Sequence, residues 1–345
     1  MSTSGISTSS APTCGVYGKY MCNYQPGYAV IIFLVTLFIL VGNIFNLLVL
    51  TRTRAMHNNP GYYMINLAVT DLGLGIICGI WAVPLSVSGL FQYTEGSMIV
   101  HGFFAQLFCA VSICTLGGVS FDRYLAISRP LRYPSIMTGK VCFVIIIVIW
   151  IVNVLVMVPP FCGFGSYIYS ENTFGSHFDF MADKGLMIYS FSIQIFPGMV
   201  VVIFSYVQIF LITRRHIRAI NIAGPRGGGK ISSNKAMKTL AITVLVFFVC
   251  WIPFTVQQMV VASINHHPEI DNTPTDSDNT PRPLDFILTW LAVSNSFMNC
   301  IIYSVTNKEY RNGARKILYA MAGKVPPHQH HETSFAPSST SSTVK

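Results

Sequence analysis

Seven long apolar runs separated by polar loops restrict this chain to very few folds. They lie at Gly27–Leu50, Tyr62–Leu85, Met98–Ile127, Val141–Pro160, Gly185–Thr213, Ala236–Ile264 and Phe286–Thr306. Each is long enough to cross a hydrocarbon layer of about 30 Å as a helix. A helix also satisfies its own backbone hydrogen bonds, which lipid cannot do. The chain is 52% hydrophobic and 10% charged, where a soluble protein carries about 25% charged residues. The expected fold is an all-α membrane protein: a seven-helix bundle with a short C-terminal amphipathic helix.

The basic residues orient it. Of the 22 Lys and Arg, only Lys19, Lys184 and Arg282 fall outside the alternate loops that collect the rest. Positive charge stays on the cytoplasmic side, so the N-terminus is expected outside. The net charge of +9 therefore reflects membrane topology, and nucleic acid is not an expected partner.

Four regions follow. Residues 1–26 form a polar outer tail with no evident cleavable signal, and residues 27–306 form the seven-helix domain. Residues 307–322 read as an amphipathic helix on the inner lipid surface, with Tyr310, Ile317 and Leu318 against Arg311, Arg315 and Lys316. Residues 323–345 read as a disordered inner tail. The cysteines form no metal-binding pattern. Cys14, Cys22 and Cys162 lie outside or at the outer edge, where disulfides persist. A Cys14–Cys22 bridge, or either one with Cys162, stays open.

Asp122-Arg123-Tyr124 ends the third run. Two charges at a membrane edge either snorkel to the headgroups or hold each other through charge-assisted hydrogen bonds. In the second case they form a latch that another helix arrangement releases. Asn43, Asp71, Ser112, Asn295, Ser296 and Asn299 place polar groups at mid-membrane depth. They need one another, water or an ion. A site for an ion or water is expected over plain interhelical hydrogen bonding.

These motifs, in order, resemble the rhodopsin-like (class A) G protein-coupled receptors. Gly42-Asn43, Leu67-Ala68-Val69-Thr70-Asp71, Asp122-Arg123-Tyr124, Trp150, Phe247-x-x-Cys250-Trp251-x-Pro253 and Asn299-Cys300-Ile301-Ile302-Tyr303 each sit on the expected run, with Cys300 where the family has proline. The resemblance implies a plasma-membrane receptor, not an enzyme, that couples a small-molecule ligand to a heterotrimeric G protein. Asp122, Arg123, Tyr124, Tyr206, Phe247, Asn299 and Tyr303 would form the switch, with Ile113, Pro197 and Phe247 as a packing trio. Asp71, Ser112, Asn295 and Asn299 would hold a sodium ion, and no covalent cofactor is implied. Arrestin would read phosphates on Thr333, Ser334 and Ser338–Thr343.

The departures narrow the ligand. Gly163-Phe164-Gly165-Ser166-Tyr167 is similar to the second outer loop of opsins, yet Val293 stands where they carry the retinal lysine. Ala105 stands where amine receptors carry an aspartate. Ala105, Gln106, Cys109, Trp251, Phe254, Gln258, Trp290 and Val293 are expected to line an uncharged pocket, which suits a neutral ligand. The alternative is an opsin relative that holds retinal without a covalent bond or has lost light sensing. Met98 and Ser176 replace the family's usual disulfide partners, so the second outer loop is expected to be more mobile. Pro197 stands one residue farther from Tyr206 than usual, so a bulge is expected in the fifth helix. Ser233 stands where some relatives place a Glu that restrains Arg123.

Overall fold

The computed structural model describes residues 26–88, 94–170, 172–179, 184–223, 233–264 and 282–324. Among the described residues are seven helices long and apolar enough to cross a membrane. The first span is α1 (Pro26–Arg52). The second is split at Trp81 into α2 (Asn59–Ile80) and α3 (Ala82–Ser88). Pro84 explains the split: it has no N–H for the Ile80 carbonyl, and its ring crowds that carbonyl. The third span, α4 (Glu95–Ser128), is capped by Thr94, whose side chain accepts from the Ser97 N–H at 3.2 Å. A short α5 (Tyr133–Ile136) occupies the next inner loop. The fourth span, α6 (Gly139–Val156), ends in a 3-10 turn at Pro159–Cys162.

Two strands follow, β1 (Tyr167–Ser170) and β2 (Gly175–Phe178), paired antiparallel with Tyr167 opposite Phe178. The fifth span joins α7 (Lys184–Ser190), a π turn at Phe191–Ile195 and α8 (Phe196–Ala223). The sixth is α9 (Ser233–Ile264), with Pro253 inside it, and the seventh is α10 (Arg282–Thr306). The inner amphipathic helix is α11 (Lys308–Met321). Asn307 caps it by accepting from the Glu309 and Tyr310 N–H groups at 3.0 and 3.2 Å.

The bundle is turned inside out relative to a soluble protein. Phe33, Phe143, Leu155, Phe210 and Leu245 are exposed on its outer surface, while Asn43, Asp71, Ser112 and Asn299 are buried. Hydrocarbon accepts the first set, and the second must find partners inside. An outer tier packs Ile32, Leu74, Cys78, Leu85, Phe286 and Trp290. An inner tier packs Tyr63, Leu67, Ile113, Leu116, Val119 and Phe247. Val49, Met64, Ile302, Tyr303 and Tyr310 form a third cluster beneath α11. Gly313 lets α11 close on the end of α1, because a Cβ there would lie 2.0 Å from Thr53 Oγ1.

The fifth span differs from expectation in one respect. A wide turn is present, but it lies before Pro197, and the interval from Pro197 to Tyr206 is regular helix, since α8 runs unbroken from Phe196 past Tyr206. Pro197 has no N–H to donate to the Ile193 carbonyl, and widening the preceding turn relieves the ring clash there. Helix five consequently brings Gly198 against Ile113, where a Cβ would lie 3.1 Å from Ile113 Cγ2. The expected trio of Ile113, Pro197 and Phe247 thus becomes a cluster of Ile113 and Phe247 with Ile195 and Met199 beside them. Cys14, Cys22, Thr333, Ser334 and Ser338–Thr343 lie outside the described residues, as does the Ser233 side chain.

Candidate functional site

A cavity of about 170 Å³ opens between the third, fifth, sixth and seventh spans. All of Ala105, Gln106, Cys109, Trp251, Phe254, Gln258, Trp290 and Val293 line it. Their convergence follows from register. Ala105, Gln106 and Cys109 are within about one turn of each other on α4, as are Trp290 and Val293 on α10, while Trp251, Phe254 and Gln258 follow one another over about two turns of α9 around Pro253. Among the described residues, no Asp, Glu, Lys or Arg reaches the wall.

The roof is the turn between the two strands. Thr173, Phe174, Gly175, Ser176 and His177 all face the cavity. The Trp290 indole N–H donates to the Thr173 carbonyl at 3.0 Å, which fastens the turn to α10. Phe174 adopts φ 56°, a left-handed conformation that a bulky residue takes only when held there. Its ring meets Phe286 edge-on at 6.4 Å within the outer tier.

The hairpin is also fastened to α4. Buried His101 accepts the Ser176 backbone N–H on Nδ1 at 3.0 Å. Gly102 permits this approach, since a Cβ there would lie 2.5 Å from the Tyr167 ring. This hydrogen bond joins Ser176 to α4 within one turn of Met98, the two positions where the resemblance places a disulfide. Sequence reading missed His101, the roof residues and Gln194. Their roles depend on where a distant loop comes to rest, and only the glycine at 175 hinted at a turn.

Below the cavity lies the polar layer. The Asn299 amide donates to Asp71 Oδ2 at 2.9 Å. The Ser112 and Ser296 side chains reach the same carboxylate. Asn43 donates to the Ile39 and Ser296 carbonyls at 3.0 and 2.9 Å, joining the first span to the seventh. Asn295 is buried in the same turn of α10. Asn66 donates to Thr115 at 2.8 Å and accepts from the Trp150 indole at 2.9 Å, joining spans two, three and four. The carboxylate thus accepts from one amide N–H and two hydroxyls, and a carboxylate with hydroxyl oxygens beside it is the oxygen chemistry that hard cations take.

The residues expected to form the inner switch fall into three places: Asp122 with Arg123, Tyr124 with Tyr206 and Phe247 in one cluster, and Tyr303 in another, while Asn299 belongs to the polar layer. Asp122 is fully buried and accepts from Arg123 Nε at 3.0 Å through Oδ2. Its Oδ1 accepts from the Tyr133 hydroxyl of α5 at 2.8 Å. Burial first, then the carboxylate it donates to, push the Tyr133 hydroxyl above its ordinary pKa, so it remains a donor at neutral pH. Tyr124 meets Phe204 edge-on at 5.4 Å, and Tyr206 packs on the cluster that holds Ile113 and Phe247. Phe247 stacks with Trp251 at 6.1 Å, linking the cavity floor to that cluster. Tyr303 is buried against Tyr310 at 6.0 Å.

Residues 42–303 match the family described as 7 transmembrane receptor (rhodopsin family). The chain is 30% identical to mouse G-protein coupled receptor 52, covering 93% of this chain and 89% of that one. It is 28% identical to human probable G-protein coupled receptor 21, covering 91% and 90%. It is 26% identical to the fruit-fly octopamine receptor beta-1R, covering 82% of this chain and 59% of that one. Squid rhodopsin shares the fold, with a TM-score of 0.72 at 20% identity, covering 90% of this chain and 84% of that one.

Proposed function

This chain belongs to the rhodopsin family of seven-transmembrane receptors, and on that premise we propose that a compact, uncharged small molecule bound beneath the hairpin sets its G-protein signalling. The supporting observation is the cavity wall, which is aromatic and apolar with a few amides and has no carboxylate at Ala105. An amine ligand entering it would leave its charge uncompensated. The volume of about 170 Å³ is also small beside the roughly 300–1,000 Å³ of drug-sized sites. That weighs against a retinal-sized chain.

Ligand binding acts by population shift. A ligand that fits better when Trp251 and Phe247 repack favours that arrangement by its difference in affinity, and by nothing else. The inner ends of the spans then part, and Arg123 leaves Asp122 to meet the G protein. In the resting arrangement Asp71, Ser112, Asn295 and Asn299 would hold a sodium ion. The N-terminus faces outward at the plasma membrane, α11 rests on inner lipid, and Thr333, Ser334 and Ser338–Thr343 recruit arrestin once phosphorylated. The test is nucleotide exchange on a heterotrimeric G protein by full-length receptor in lipid nanodiscs, native against Arg123→Ala. We expect exchange above the receptor-free rate for the native chain and loss of that excess in folded Arg123→Ala. Equal exchange by both would overturn the coupling mechanism.

A further inference from the structure

The π turn in the fifth span has a chemical result. It brings Gln194 onto the cavity wall together with Phe191 and Ile195. Gln194 is only 5% exposed, and its amide Nε2 has no hydrogen-bond partner among the described residues. Its backbone carbonyl is held by the Cys114 thiol at 3.4 Å, which fixes its depth beside α4. The Trp251 indole N–H and the Gln106 Oε1 also line this cavity, are also buried, and also have no partner.

An unsatisfied buried amide is costly unless something fills the need. At the deep end of the cavity the unmet groups are donors, Gln194 Nε2 and Trp251 Nε1. The unmet acceptor on the same wall is Gln106 Oε1, on α4. One occupant of the cavity can therefore meet two donors and one acceptor.

We propose that Gln194 is the specificity-determining residue of this cavity. Its ligand is a compact neutral aromatic that presents a hydrogen-bond acceptor, such as a carbonyl or ring nitrogen, to Gln194 and Trp251, and an N–H or O–H to Gln106. A cavity of about 150 Å³ accommodates benzene, so about 170 Å³ suits one ring with a short polar substituent. The proposal rests on the reading of this cavity as the ligand site. Water in place of the ligand would satisfy the same groups without selecting a ring.

The test uses ligand-observed NMR on the full-length receptor in nanodiscs. The probes are benzamide, benzylamine, benzoate and ethylbenzene, and each variant is checked by thermal unfolding. Benzamide should bind the native chain more tightly than the two charged probes and the apolar one. Ala105→Trp, which fills the cavity, should abolish its binding. Gln194→Met keeps the volume and removes the donor, and should weaken benzamide about tenfold while sparing ethylbenzene. Gln106→Met gives a second arm if Gln194→Met fails to fold, with the same selective loss expected. Benzamide binding lost in Ala105→Trp but unchanged in both Met variants would overturn the proposal and leave the cavity reading intact. Binding unchanged by Ala105→Trp would overturn the cavity reading itself. No benzamide binding to the native chain, or tighter binding of benzylamine, would overturn the ligand class.

Discussion

Tyr133 and Arg123 hold opposite oxygens of one carboxylate, the hydroxyl on Asp122 Oδ1 at 2.8 Å and the guanidinium on Oδ2. The proposed latch is therefore a three-residue arrangement spanning α4 and the inner loop. A hydrogen bond to a charged group contributes about 1.5–3 kcal/mol. Part of that is offset by water when the latch opens. Tyr133→Phe should raise ligand-free G-protein activation about two- to tenfold at matched surface expression. Unchanged basal exchange would show that Tyr133 only packs.

Sodium offers a separate handle. Replacing sodium by choline at constant ionic strength should raise basal nucleotide exchange by the native receptor, about threefold or more. Asp71→Asn removes the charge but retains a partner for Asn299, and should abolish the difference between the two salts. A salt response that survives in Asp71→Asn would place the ion elsewhere.

His101 fastens the hairpin by accepting one backbone N–H. His101→Phe keeps a ring beside Trp81, 5.8 Å away in the native chain, but leaves the Ser176 amide without an acceptor. Hydrogen exchange at residues 175–178 should then quicken about tenfold, with little change in α10. Exchange as slow as in the native chain would show that the strand pairing and Trp290 are enough.

Gly313 is a packing constraint on the inner surface. Gly313→Val would force a Cβ into Thr53 and push α11 away from α1. Overpacking of this kind costs about 1–3 kcal/mol. We expect a fall in the melting temperature of the purified receptor of several degrees, and Thr53→Ala should partly restore it. An unshifted melting curve would mean that α11 repositions freely.

The spans were legible from the apolar runs, and the cavity wall from the family resemblance, which says which spans face one another. Lipid admits helices, and a helix fixes the neighbours of Trp251 or Asp122 once one residue is placed. The roof was not legible in the same way. Thr173 meets Trp290 and Ser176 meets His101 across long stretches of chain, and no local periodicity encodes those meetings. The fifth span lies between these cases. The spacing of Pro197 and Tyr206 pointed to a bulge, but the wide turn lies before Pro197, outside the interval which that spacing marks. Gln194 was overlooked as a result. Asp122 was read with Arg123 alone because Tyr133 sits beyond the helix end, where helical register carries no information.

Where related receptors are expected to carry a covalent bridge between the outer end of the third span and the loop above it, this chain uses an imidazole and an amide hydrogen. That attachment requires no thiol oxidation. It can form as soon as the hairpin reaches α4 during synthesis, without waiting for an oxidising catalyst, and it re-forms after each opening. A reductant in the medium leaves it untouched. The contact between the hairpin and the third span is thus a hydrogen bond in equilibrium, which forms and breaks without chemistry.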